Sequence, residues 1–264
     1  MCKKLSAVFL SLLLASHFVS ADERRTRLTY DDRTPELGKP EIGLEVGFYE
    51  YGDEEERFTL GEANVTEVAL VLRHQLLKKF TLSARIPYIY FEPDQGDSES
   101  DIGDVEVGAE LEAYKGVLCY PWVIPHVNVD FGTADLASPE GLGDETVSLG
   151  VSVGTVTHDV ITWVGDASYE INGNAENSLV LSASLLWDID KDFAVGVEGQ
   201  IRENGQSQGV ELLDTVGRSD GSAGMIMGSM HYNATEHLAY SIYFGGGLER
   251  TLDAFALLKT TYSF

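Results

Sequence analysis

The stretch Gly103-Asp104-Val105-Glu106-Val107-Gly108-Ala109-Glu110-Leu111-Glu112-Ala113 decides how this chain is read. In an extended strand successive side chains point to opposite faces, so Val105, Val107, Ala109, Leu111 and Ala113 share one side. Asp104, Glu106, Gly108, Glu110 and Glu112 share the other. One face suits hydrocarbon and the other suits water. Sliding the strand by one residue would turn Asp104, Glu106, Glu110 and Glu112 toward lipid, at about 1 to 2 kcal/mol per carboxylate even near mid-depth, so the alternation sets its own register.

The same period recurs along the chain. It is clear at Ile42/Leu44/Val46/Phe48, Val68/Leu70/Leu72, Phe80/Leu82/Ala84/Ile86/Tyr88/Tyr90 and Val123/Val127/Val129/Phe131. It continues at Val147/Leu149/Val151/Val153, Ile161/Trp163/Ala167/Tyr169/Ile171, Leu179/Leu181/Ala183/Leu185/Trp187 and Phe193/Val195/Val197/Ile201. A strand at Ser222 to Tyr232 has its alternation blurred by Met225, Ile226 and Met227. The last two are Leu238/Tyr240/Ile242/Phe244 and Ala256/Leu258/Thr260/Tyr262/Phe264. The pattern predicts an all-β chain, a single antiparallel transmembrane β-barrel of about twelve strands, with roughly 10 to 14 as bounds.

Connections test this independently, because outer-membrane barrels have short periplasmic turns and longer outer loops. Short links are expected near Leu77-Lys78-Lys79, Lys115-Gly116, Thr157-His158-Asp159, Asp188 to Lys191 and Asn233 to Glu236. Longer ones are expected from Gly52 to Glu62, Glu92 to Ile102, Ala134 to Leu142, Glu203 to Gly221 and Gly245 to Leu252, with a short exception near Gly173. Aromatic side chains favour the two lipid–water boundaries. Phe80, Trp163, Trp187, Phe193, Tyr262 and Phe264 fall at periplasmic ends of outward faces, and Phe48, Tyr88, Tyr90, Phe131, Tyr169 and Phe244 at outer ends. The register turns Trp122 inward although its neighbours suggest a boundary site. A soluble β-sandwich also alternates, but its polar faces are usually rich in Lys and Thr, whereas Gly, Ser and acids dominate here.

The N-terminus carries Lys3 and Lys4, an apolar run from Leu5 to Val19, and Val19-Ser20-Ala21 before a charged stretch. That is secretory signal grammar, with cleavage expected after Ala21. Residues 1–21 are therefore set aside, 22–40 are read as a polar periplasmic segment or a plug folded into the pore, and 41–264 as the barrel. Cys2 leaves with the signal, and Cys119 alone can form neither an intramolecular disulfide nor an ordinary cysteine zinc site. Beyond the signal no run reaches 18 apolar residues, which argues against a transmembrane helix. Without Lys3 and Lys4 the chain has 16 basic and 43 acidic residues, a charge of -27, and nucleic acid is an implausible partner.

With the strands placed, the chain resembles the outer-membrane transporter family named for a MetA pathway of phenol degradation. The residues that carry the resemblance are Leu82-Ser83-Ala84-Arg85-Ile86-Pro87-Tyr88, then Ile102-Gly103-Asp104-Val105-Glu106-Val107-Gly108 after an acidic loop. A second Gly-Asp entry is Leu142-Gly143-Asp144, which leads into Val147 to Gly154. The resemblance implies an outer-membrane barrel that passes small organic molecules. The strongly acidic interior and the charged loop from Glu92 to Asp101 differ from a site that gathers aromatics, so the fold is carried over and the solute is not. The chain's end, Leu257 to Phe264, resembles the signal read by the barrel-assembly machinery, with Tyr262 and Phe264 as its aromatic residues.

Polar faces assigned to the lumen place Asp104, Glu106, Glu110, Glu112, Asp130, Asp166 and Glu170 inside as an acidic face, joined by Glu41, Glu45, Glu67, Asp144 and Glu198. Arg73, Arg85 and Lys259 form a basic face on neighbouring strands, with Arg202 and His126 elsewhere. The expectation is a transverse field favouring cations across a passive channel. The alternative is mutual pairing that fills the interior, since about 8 strands enclose a filled barrel and 16 leave an open one. A structural or adhesive barrel is the second class, resting on the long 203–221 link. A barrel lipase or protease is the third and weakest, because it needs a Ser–His pair facing lipid near the outer boundary. His74, His158, His231 and His237 fall toward the periplasm instead. No catalytic residue, metal or cofactor is assigned, and the carboxylates of the 92–101 loop are read as a solvated surface. The expected partners are outer-membrane lipid, the assembly machinery and a small solute, with oligomeric state left open.

Overall fold

The computed structural model describes residues 27, 29, 35–51, 63–93, 97–115, 121–133, 145–173, 177–204, 222–248 and 252–264. The expected signal at 1–21, Cys119, Asp94, the Gly143-Asp144 entry and the 205–221 link lie outside them. The strands are β1 (Pro40–Tyr51), β2 (Ala63–Leu77), β3 (Phe80–Pro93), β4 (Glu99–Ile102), β5 (Val105–Leu111), β6 (Tyr114–Lys115) and β7 (Trp122–Phe131). They continue as β8 (Thr146–Thr157), β9 (Ile161–Asn172), β10 (Ser178–Asp188), β11 (Phe193–Asn204), β12 (Ser222–Asn233), β13 (Leu238–Gly247) and β14 (Leu252–Ser263).

Neighbouring staves pair antiparallel, and β1 pairs with both β2 and β14, so the sheet closes on itself. β4, β5 and β6 run end to end along one stave between β3 and β7. The fourteen segments therefore make a closed barrel of twelve staves. Closure leaves no edge whose N–H and C=O groups would face lipid unpaired.

The strand that opened the sequence reading departs from a continuous run in two places. Pairing with β3 shifts by one residue between Tyr88↔Ile102 and Arg85↔Glu106, with Gly103 and Asp104 in the gap. A second shift separates Glu110↔His126 from Tyr114↔Val123, with Glu112 and Ala113 in that gap. These are bulges, where one extra residue on one strand bends it and re-aims side chains. Asp104 is thus not on the inner face of a regular strand. Glu112 lies at the periplasmic rim, 3.7 Å from Lys79 Nζ and 3.5 Å from Lys115 Nζ. Alternation reads sound across a bulge because the residues either side still alternate.

The outer link expected from Glu92 to Ile102 is also shorter, since β3 runs to Pro93 and β4 starts at Glu99. At the opposite end, His158 and Asp159 have φ of 55° and 59°. Two positive φ angles in succession are what a two-residue hairpin needs to match strand twist, and Val160 N donates to Thr157 O across it at 3.4 Å.

The blurred strand resolves by parity. Met225, Met227, Ser229 and His231 are buried, while Ile226, Met230 and Tyr232 are exposed to the lipid side. Trp122 points inward and is 0 % exposed. It pairs across strands with Gly154, and a Cβ built on Gly154 would lie 2.1 Å from the indole Cζ2. Only glycine lets the ring lie flat on the inner wall against Ile124 and Val164. Gly154→Val should therefore cost about 1–3 kcal/mol of stability through overpacking. Thermal unfolding in detergent reads this, and adding Trp122→Ala should recover most of the loss.

Candidate functional site

The inside of the barrel is where alternation gathers the ionisable side chains, and those that are buried need partners. Glu45 on β1 is the hub. Its carboxylate lies 3.3 Å from Arg85 Nε, 3.7 Å from Lys259 Nζ and 3.5 Å from Arg27 Nη1. Arg85 Nη2 also donates to Glu67 Oε1, and Glu67 is 0 % exposed. Arg73 Nη2 grips both oxygens of Glu110, at 2.8 and 3.0 Å, with its Nη1 4.0 Å from Glu41. Arg202 Nη2 donates to Glu170 Oε1 at 2.9 Å.

On the β7–β9 wall, His126 Nε2 and Asp166 Oδ2 are 2.7 Å apart, and Ser152 Oγ donates to the same carboxylate oxygen. His126 fits flat because Gly150 faces it, where a Cβ would meet the imidazole at 2.4 Å. Glu106 and Asp130 are direct cross-strand neighbours, both turned inward. Glu106 also stands directly opposite Arg85 on β3.

The structure thus puts Glu106, Glu110, Asp130, Asp166 and Glu170 on inner faces, with Arg73, Arg85 and Lys259. It does not separate them into an acidic wall and a basic wall. Acids stand among the bases, as Glu41, Glu45 and Glu67 do, and Arg73 reaches from β2 past β3 to Glu110 on β5. Long guanidinium side chains can cross a neighbouring strand, and low dielectric rewards direct pairing over a distant field. Among the described strand residues carboxylates face inward at 41, 45, 67, 99, 101, 106, 110, 130, 166, 170, 188 and 198. The described inward bases are fewer, at 27, 73, 85, 115, 202 and 259.

Two features go beyond the strand pattern, the first of them within the 22–40 stretch read as a periplasmic segment or a plug. The first is the residue at 27. Its backbone N–H donates to both oxygens of Glu198 on β11, each at 2.9 Å, and its guanidinium sits 5.9 Å from the Tyr243 ring centroid on β13. Thr29 Oγ1 donates to Ser184 Oγ at 3.0 Å, and Ser184 Oγ donates to Glu198 Oε2 at 3.0 Å. Burial disfavours the Arg27 charge, but Glu45 and the neighbouring Tyr49, Tyr243 and Glu67 outweigh it and hold the guanidinium protonated. The readable hint was three arginines at 24, 25 and 27 ahead of an acidic barrel.

The second is an apolar inner surface. Tyr49, Tyr51, Val65, Ile89, Phe91, Met225, Met227, Tyr243, Phe255 and Leu257 are inward and buried against one another near the outer ends of β1–β3 and β12–β14. Tyr49 and Phe255 stack with centroids 5.9 Å apart. Runs such as Phe48-Tyr49-Glu50-Tyr51 and Tyr88-Ile89-Tyr90-Phe91 carry large side chains on both faces, which is the mark of a strand buried on both sides.

At the periplasmic end Tyr262 and Phe264 point outward and meet edge to face with centroids 5.0 Å apart. His237, in the β12–β13 turn, stacks on Tyr262 at 5.8 Å, and its Nδ1 lies 2.9 Å from Ser263 O. Phe264 N donates to Pro40 O at 3.3 Å. The last strand is thus tied to the first at the seam.

Apolar side chains outside, charged pairs within, and short turns at the end holding both termini of the sheet define an outer-membrane β-barrel. The family described as "Putative MetA-pathway of phenol degradation" matches residues 38–261, and the chain belongs to it. An outer-membrane channel from Pseudomonas putida F1 has a similar structure, with TM-score 0.69 at 13% identity, covering 87% of this chain and 96% of that one. The NanC porin (TM-score 0.56, 11% identity, covering 84% and 98%) and LpxR from Salmonella typhimurium (TM-score 0.54, 10% identity, covering 85% and 100%) share the fold. No curated protein sequence matches the chain.

Proposed function

We propose that this barrel passes small solutes across the outer membrane, prefers cations, and holds part of its N-terminal segment inside the lumen. The observation that carries the reading is the excess of inward carboxylates over bases among the described residues of a closed cylinder. A charged, low-dielectric passage raises the local concentration of counter-ions. The contacts of Arg27 and Thr29 with β1, β10, β11 and β13 favour the plug over a free periplasmic segment for residues 22–40. The apolar inner surface suits solutes with a hydrophobic body, in line with the small organic molecules that the family name suggests.

A hydrolytic role has weaker support. His231 is buried inside with its ring nitrogens 2.9 Å from Ser241 Oγ and 3.0 Å from Ser229 Oγ, and His126 rests on a carboxylate. Neither forms a lipid-facing nucleophile and base with a third orienting group. Reversal potentials in planar bilayers across a KCl gradient test the channel. A cation-preferring current is the expected result, and anion preference or a silent bilayer would count against it.

Tyr262 and Phe264 are further assigned to assembly. Phe264→Ser should lower the fraction of protein reaching the folded, heat-modifiable form in membranes. An unchanged folded fraction would remove that assignment.

A further inference from the structure

The turn between β2 and β3 departs from the rest of the periplasmic end in shape and in charge. Pairing of β2 with β3 shifts between Gln75↔Thr81 and Leu77↔Phe80, so Leu76 is an extra residue on β2. Bulges at barrel rims re-aim side chains. This one leaves two successive leucines exposed, Leu76 at 46 % and Leu77 at 66 %. Leu77 stands opposite Phe80, and Phe80 stands opposite Leu111 on β5. The three make one apolar row across the outside of the barrel.

The row meets Lys78 and Lys79 at the rim, both exposed. Glu112 N donates to Lys79 O at 2.9 Å, which fixes the turn against the second bulge at Glu112-Ala113. The Glu112 carboxylate lies 3.7 Å from Lys79 Nζ and is shared with Lys115 Nζ at 3.5 Å, while Lys78 has no ion pair among the described residues. The chain as a whole carries a formal charge of -25. Every other described turn at this end brings a carboxylate of its own: Asp159 after β8, Asp190 and Asp192 after β10, and Glu236 after β12. The β2–β3 turn brings two ammoniums and no carboxylate.

We propose that the turn from Leu76 to Phe80 is a docking surface for an acidic phospholipid of the periplasmic leaflet, with phosphatidylglycerol as the chemistry that fits. The acyl chains lie along Leu76, Leu77, Phe80 and Leu111, and the phosphate meets the Lys78 and Lys79 ammoniums. Lysine stems stay on the apolar row while the charge reaches headgroup level. A zwitterionic headgroup sets its own ammonium against the lysines, and a soluble acidic peptide has no chains to cover two exposed leucines. The contact pins this side of the rim at headgroup depth. It needs the barrel in its membrane and is indifferent to whether the barrel conducts.

Native mass spectrometry of the detergent-purified full chain reads the affinity of the first bound lipid, titrated as phosphatidylglycerol or as phosphatidylcholine with the same oleoyl chains. Each lysine near an anionic headgroup is worth roughly fivefold. Phosphatidylglycerol should therefore bind about tenfold more tightly, the Lys79 share being partly answered by Glu112. Lys78→Gln with Lys79→Gln should bring the two lipids to within about twofold. Lys39→Gln with Lys191→Gln, at two lysines of the same end that each sit by a carboxylate, should leave the preference in place. Leu76→Ser with Leu77→Ser should weaken both lipids alike. Equal affinity for the two lipids in the parent, or a preference that survives the loss of Lys78 and Lys79, would overturn the inference. So would displacement of bound phosphatidylglycerol by an excess of inorganic phosphate, the mark of a site for the free anion. Should the lysine variants fail to reach the folded, heat-modifiable form, the parent alone decides. Salt screens exposed charges, so its preference should shrink as sodium chloride rises, and a preference indifferent to salt refutes the lysine contact.

Discussion

Arg85→Ala is expected to destabilise the folded barrel by about 3–5 kcal/mol, the usual cost of removing one partner from a buried ion pair. Glu67 is fully buried, and Arg85 donates to one of its oxygens while the other has no partner among the described residues. Glu45 would also lose the nearest of its three cations, the one at 3.3 Å. Two carboxylates on adjacent strands would then sit in the wall with only Arg27 and Lys259 nearby. The measurement is the midpoint of urea unfolding in lipid vesicles, followed by gel mobility of the folded form. Replacing both partners, as Arg85→Met with Glu67→Met, should recover most of the loss, because the pair's large cost lies in leaving one charge alone. A single variant as stable as the parent would show that water reaches Glu67.

Glu106→Lys combined with Asp130→Lys is expected to abolish cation preference. The two carboxylates stand side by side on β5 and β7, half-exposed to the lumen. Exchanging both removes two inward carboxylates and puts two bases in their place on the same wall. Reversal potentials across a KCl gradient should move from the cation side toward zero. Glu203→Lys serves as a control of like exchange on the exposed outward face of β11 and should leave the reversal potential almost unchanged. If the double exchange leaves selectivity intact, the ions take a path that avoids this wall.

Much of the architecture was legible because it is local. Alternate residues of a strand face opposite ways whatever the rest of the chain does, so Val107 and Ile201 read as lipid-facing and Glu110 and Glu198 as inward from their neighbours alone. The twelve-stave count followed from such runs, and so did the short turn at His158-Asp159. The misreadings lie where locality fails. A bulge at Gly103-Asp104 and another at Glu112-Ala113 leave the hydrophobic pattern on either side intact, and only the pairing with β3 and β7 reveals them. The apolar inner surface was hidden by an expectation that every inner face is wet, although Tyr49, Tyr51, Ile89 and Phe91 already broke that rule.

By itself, then, the sequence determined that this chain forms a closed membrane cylinder and which residues turn inward, since period and charge act over a few residues. Tertiary structure decided the pairings: Arg73 with Glu110, Arg202 with Glu170, Trp122 over Gly154, and Arg27 reaching from Glu45 to Glu198. The reason is geometric. Which charge meets which depends on the curvature and stagger of the finished barrel, and these bring together residues as distant as Arg27 and Glu198, 171 positions apart, which no single strand encodes.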